Sequence, residues 1–63
     1  MENVNTKVIR ASRNLEETIL ELESLKYRIG RMGEEGEDYA TDIEYKILVE
    51  LRTLHSYLKE LGR

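Results

Sequence analysis

The chain has 63 residues, no cysteine, no proline and a charged fraction of 37%. This length allows one small domain over residues 1–63 and excludes a large core, and the lack of cysteine excludes disulfides and thiolate metal sites. The formal net charge of −3 gives a nonspecific polyanion-binding role no overall electrostatic support. No apolar run is long enough to span a membrane and no secretory signal is visible, so we expect a cytoplasmic protein outside the membrane.

An apolar stripe with heptad spacing predicts a first helix over about residues 4–30. Alternating steps of four and three residues keep its members on one side of an α-helix and call for a partner helix along that side. The stripe consists of Val4, Val8, Ala11, Leu15, Thr18, Leu22, Leu25, Ile29 and Met32, and Ile19 widens it. Asn3 precedes the stripe, and we predict that its side chain caps the free N–H groups of the first turn.

Thr18 is the polar member of this stripe, and two interpretations of it are open. Its hydroxyl can donate to the backbone carbonyl one turn earlier while its methyl group packs. Alternatively, it forms a polar layer that sets the register of paired helices, as a single buried asparagine does in some coiled coils.

Three glycines at positions 30, 33 and 36 predict that the first helix ends there and the chain reverses. The basic residues Arg28 and Arg31 lie at the negative end of the first helix dipole. Acidic residues follow at the positive start of the next helix, which favours the same turn.

The second helix is predicted over about residues 38–61, beginning at Asp38 or at a capping box that runs from Thr41 to Glu44. Its apolar stripe consists of Ala40, Ile43, Ile47, Leu51, Leu54, Leu58 and Leu61, with Leu48 at the margin. Two successive steps of four residues, from Ile43 to Leu51, interrupt the heptad and should straighten the supercoil locally.

These two helices predict an all-α fold, an antiparallel αα-hairpin. Two helices share only one seam, so the stripe side chains of an isolated hairpin stay partly in water. A second copy would cover them in a two-fold symmetric four-helix bundle. We therefore expect the chain to pair with itself, with another protein, or with both.

A second group of apolar residues lies on the side of each helix away from the stripe. The group consists of Ile9, Leu20 and Tyr27 on the first helix and Tyr45 and Val49 on the second. Isolated surface hydrophobes are common. Tyrosine and large aliphatic side chains are also frequent anchors in protein interfaces, so these five residues are the candidate partner-binding site.

No constellation for catalysis, metal binding or cofactor binding is visible, and we expect a protein that is not an enzyme, without a cofactor or a small-molecule substrate. His55 is the only histidine, and we place it at the flank of the second helix. The basic group Lys7, Arg10 and Arg13 is the most plausible nucleic-acid contact, although no aromatic residues lie between these charges and binding of nucleic acid is not expected.

In length and hairpin plan the chain resembles the Rop family of plasmid RNA-binding dimers, which implies an RNA-binding bundle as one alternative. The segment from Leu25 through the glycine turn to Tyr39 and Leu58 resembles the small helical-hairpin co-chaperones of type III secretion needle subunits. That resemblance implies a subunit or co-chaperone of a heteromeric complex as another. The leading hypothesis is a noncatalytic adaptor or regulator that acts as a homodimeric four-helix bundle.

Overall fold

The computed structural model describes residues 3–62, which fold into two antiparallel helical arms. The first arm is α1 (Val4–Gly30). The second arm consists of α2 (Glu34–Asp42), a π-helical segment (Ile43–Leu48) and α3 (Val49–Leu61), which follow one another without a break. The described residues contain no strand, so the predicted all-α hairpin is confirmed.

α1 begins where its capping residue predicts. The N–H of Thr6 donates to Asn3 Oδ1 over 2.8 Å, which satisfies one of the free donors of the first turn. Further along, the hydroxyl of Thr18 donates to the carbonyl oxygen of Asn14 over 3.0 Å. Thr18 therefore bonds back to the preceding turn, as the first interpretation of this residue predicts, and its methyl group remains available for packing.

Two glycines make the reversal possible. Gly33 has φ of 102°, a conformation that residues with a Cβ rarely adopt, and it directly precedes α2. Gly36 is buried where α2 crosses the end of α1, and a Cβ on it would overlap the carbonyl oxygen of Ile29. The turn is tight because Gly36 lets the two backbones touch.

The second arm begins at Glu34, four residues before the predicted start at Asp38. Glu34, Glu35 and Glu37 occupy the first turn, where carboxylates stabilise the positive end of the helix dipole. The predicted capping box is not used, because the hydroxyl of Thr41 donates to the carbonyl oxygen of Glu37 from inside α2. The close crossing at Gly36 needs a helical backbone at that residue. The start of the second arm therefore lies nearer to the turn than predicted.

The π segment lies at the place where two steps of four residues predict a straighter supercoil. The residues that face α1 there differ from the predicted ones. Its wider turn is marked by the N–H of Val49, which bonds to the carbonyl of Glu44, five residues earlier. A π turn holds more residues than an α turn and delays the rotation of the side chains that follow. Within this segment Leu48 is fully buried, whereas Ile47, predicted as core, is 42% exposed.

The seam between the two arms is the only core of the described chain. Leu48 is 0% exposed and Ile19 is 8% exposed, and they are the two buried hydrophobic residues. The molecule measures 48 × 16 × 13 Å and has a radius of gyration of 14.5 Å. A compact domain of this length would have a radius of about 10.6 Å, so the hairpin leaves much of its surface uncovered.

Candidate interaction surfaces

Close contacts across the seam set the register of the two arms. Gly62 lies against Val8, and Gly30 lies against Ala40. Residues that lie beside each other across the seam, at the same height along the hairpin axis, therefore come from opposite ends of the sequence, as expected for an antiparallel hairpin. The seam between the arms divides the surface of the hairpin into two faces, one on each side.

Ion pairs close one edge of the seam. Arg52 joins both arms, with Nη1 lying 3.2 Å from Glu44 Oε2 and Nη2 lying 3.6 Å from Glu23 Oε1. Lys26 Nζ lies 3.7 Å from Glu44 Oε1. These side chains are partly shielded from water, which strengthens such pairs relative to fully exposed ones. The network links the two arms and fixes their relative height.

Among residues 3–62 no ion pair covers the opposite edge of the seam, and we call the surface around that edge the open face. Its half-buried members are Leu15, Leu22, Ile29, Ile43, Leu51 and Leu58. Its exposed members are Val4, Ala11, Thr18, Leu25, Met32, Tyr39, Ile47, Leu54 and Leu61. At about 100° per residue these positions fall on the same side of both arms. Apart from Tyr39, all of these residues belong to the predicted stripes, and they are the part of each stripe that the other arm does not fully cover.

No member of the open face carries a charge, so a second protein could cover it without removing an ion from water. The hairpin exposes 5370 Å² in total, whereas a compact chain of this mass would expose about 4,200 Å². The excess is larger than the roughly 800 Å² that each partner buries in a standard interface.

The five predicted partner-binding residues are all exposed, and they lie on the side of the ion pairs. We call Ile9, Leu20, Tyr27, Tyr45 and Val49 the back face; Tyr27 and Tyr45 are 70% and 71% exposed. The register places Tyr27 level with Tyr45 and Leu20 level with Val49. Ile9 lies apart, beside Leu58 and Gly62 near the open end of the hairpin.

Tyr27 and Tyr45 line one shallow hollow on the back face. Its floor includes the small residues Gly30 and Ala40, and its rim includes Arg31. The ammonium group of Lys26 lies 5.3 Å from the centre of the Tyr27 ring, within the range of a cation–π interaction. Two exposed phenol rings over a floor of small residues form a recess in which a side chain of a partner could be held.

His55 lies in the seam rather than at the predicted flank of the second helix. Its side chain is 16% exposed, and Nε2 lies 3.8 Å from Glu16 Oε2. Nε2 is buried and makes no hydrogen bond with any of residues 3–62. The rotation introduced by the π segment brings this position towards α1.

The basic group is exposed on α1, and its last member, Arg13, lies beside Leu58 and Lys59 of the second arm. Lys7, Arg10 and Arg13 all belong to the first half of that helix. Successive members are rotated by about 60° because they are three residues apart. The group therefore curves around α1 instead of forming one flat strip, and a nucleic-acid contact there remains a prediction.

Sequence reasoning did not identify the ion-pair network as part of the surface. Arg52, Glu44 and Lys26 are ordinary surface charges in the sequence, and they become partners only once the register is known. The sequence offers one clue. Lys26 and Glu44 are almost equally far from the turn along the chain, so an antiparallel hairpin places them beside each other. The π segment changes the position of Arg52 around the helix axis. Helical periodicity alone therefore does not predict the whole network of ion pairs.

Comparisons with protein-family models, curated proteins and solved structures found no match. Among residues 3–62, no three side chains of metal-binding types come together. No helix in the described part of the chain is long and apolar enough to cross a membrane.

Proposed function

We propose that this chain is a noncatalytic protein–protein interaction module, a small adaptor or regulator, that acts as a homodimeric four-helix bundle. Two copies meet through their open faces, and the back faces remain outside for a further protein. A cytoplasmic location, expected from the sequence, is part of the same proposal.

The open face is the observation that carries this proposal. Half-buried leucines such as Leu22 and Leu51 lie beside more exposed ones, Leu25 at 44% and Leu54 at 52%. Apolar area removed from water contributes about 25 cal/mol per Å² to stability. If the open face stays in contact with water, the small helical chain lacks much of the stabilisation that it needs. A second copy offers a surface of the same size and chemistry, and a two-fold interface needs only one such patch per chain.

The first prediction concerns the mass of the purified chain. We expect sedimentation equilibrium to give twice the chain mass of 7.4 kDa, with high helicity by circular dichroism. An aggregating or poorly folded monomer that is rescued by coexpression with another protein would instead support a heteromeric complex. A folded monomer at high concentration would contradict the proposed dimer.

A second prediction separates partner binding from folding on the back face. Leu20 and Tyr27 are 60% and 70% exposed, so the double substitution Leu20→Ser, Tyr27→Gln should change stability by roughly 0.5 kcal/mol per site. Binding of the partner should be lost, because the substitutions remove two apolar anchors. The measurements are urea unfolding and affinity capture from the native cell, compared with the unmodified chain.

Tyr57→Gln is the matched control for that experiment. Tyr57 is 59% exposed and is not one of the five back-face residues, so its substitution should leave the captured protein unchanged. If the double variant captures the same protein as the control does, the back face is not the partner-binding site. If it unfolds, Leu20 or Tyr27 contributes to a contact that stabilises the fold.

A further inference from the structure

Exposed open-face residues are spaced symmetrically about Thr18 in the sequence. Ala11 and Leu25 lie seven residues before and after it, and Val4 and Met32 lie fourteen residues before and after it. α1 ends at Gly30, so its helical geometry places the inner pair. A two-fold axis through Thr18, perpendicular to α1, would bring Ala11 of one copy against Leu25 of the other. The small side chain of Ala11 would then meet the larger one of Leu25, which favours close packing.

Thr18 is suited to lie on such an axis, where a residue must pack against its own copy. Its hydroxyl is already bonded to the carbonyl oxygen of Asn14, so burial would not leave this donor unsatisfied. The side chain is short, and two short side chains on the axis let the helix backbones approach each other. The polar position in an otherwise apolar stripe is thereby explained as the centre of the interface.

Charge distinguishes between the two ways in which open faces can meet with two-fold symmetry. If the axis runs along the helices, both turns lie at the same end and α1 packs against the second arm of the other copy. If the axis crosses the helices, the turns lie at opposite ends and α1 packs against α1. The two ends of the hairpin must carry different charges for electrostatics to choose between these arrangements.

The two ends do differ in charge. Among the described residues, the open end carries Lys7, Arg10, Arg13 and Lys59, with Glu60 as an acid beside them. The turn end carries Glu34, Glu35, Glu37 and Asp38, with Arg28 and Arg31 beside them. Turns at the same end would place two acidic ends within about a Debye length, whereas turns at opposite ends place each acidic end over a basic one.

We propose that the second copy docks antiparallel, open face to open face, with α1 against α1 and Thr18 on the two-fold axis. This arrangement rests on the proposed dimer and adds its register and polarity. It also places the two Tyr27–Tyr45 hollows near opposite ends and on opposite sides of the bundle.

The chain contains no native cysteine, so single cysteines report the arrangement directly. In the full-length Thr18→Cys variant the two thiols should face each other across the axis, where Cα atoms of packed helices come within disulfide range. Mild oxidation should convert most of the protein to a disulfide-linked dimer. Glu17→Cys is the control, because its neighbouring position turns away from the open face and should yield little cross-linked product.

A spin label on Glu35→Cys measures the polarity of the same dimer. Glu35 lies at the turn beside Met32 and Tyr39. Pulsed electron resonance should give a separation of roughly 45 Å for turns at opposite ends, and less than about 25 Å for turns at the same end.

A chain that sediments as a dimer but shows the shorter separation and no Thr18→Cys cross-link would overturn the antiparallel arrangement and leave the proposed dimer intact. A chain that sediments as a monomer would overturn both. A labelled dimer with the longer separation and efficient cross-linking at Thr18→Cys, but not at Glu17→Cys, supports the proposed register.

Discussion

Replacing Leu48 with alanine is expected to lower the free energy of unfolding by about 3–5 kcal/mol, at the upper end of the range for buried leucines. Leu48 is 0% exposed in the middle of the seam, so the substitution removes its contacts with both arms and leaves a cavity. The measurement is urea unfolding followed by circular dichroism, at one fixed protein concentration because association affects apparent stability.

Leu20→Ala is the matched control for this experiment, since it makes the same chemical change at a residue that is 60% exposed. Its cost should be roughly 0.5 kcal/mol or less. Equal costs at the two positions would mean that Leu48 does not occupy the centre of the seam. The register set by the π segment would then be wrong, and Ile47 would become the candidate core residue.

Replacing Leu54 with glutamate is expected to separate the proposed dimer. Leu54 is 52% exposed in the single hairpin and lies near the middle of the open face. In a two-fold dimer each interface would contain two new carboxylates without partners, and an unpaired buried charge costs about 3–5 kcal/mol. The dissociation constant should rise at least a thousandfold, since one such charge already accounts for about that factor, and sedimentation across a range of concentrations would detect the change.

Val49→Glu provides the control, because Val49 is similarly exposed, at 46%, but lies on the back face. It adds the same charge and should leave the dissociation constant within a few-fold of that of the unmodified chain. Normal dimerisation of Leu54→Glu would show that the open face is not the contact between copies. The open face would then be available for a different protein.

Most of the local structure followed from local signals in the sequence. Asn3 caps α1 and the helix ends at Gly30, as the capping residue and the first glycine of the turn predict. The reversal uses Gly33 in a conformation that only glycine adopts readily. These features depend on residues within one or two turns of one another, so the sequence contains the necessary information.

The second arm departed from prediction where packing against α1 decides the backbone. Its start at Glu34 depends on the close approach of Gly36 to the carbonyl of Ile29. The exchange of Ile47 for Leu48 in the core depends on the π turn. Two steps of four residues between Ile43 and Leu51 do mark an interruption of the heptad at this place. The spacing of apolar residues alone does not show that the interruption is a π turn, because a straighter α-helix fits the same residues.

The sequence by itself determined that the chain forms an antiparallel helical hairpin, that each arm carries an apolar stripe, and that the two tyrosines 27 and 45 lie away from those stripes. Only the tertiary structure decided that Leu48 and Ile19 form the buried centre and that His55 lies in the seam. It also decided that Arg52, Glu44 and Lys26 close one edge and leave the other open. The physical reason is that helix formation and stripe position depend on neighbouring residues, whereas the side of the seam that each charge covers depends on the height and rotation of one arm against the other.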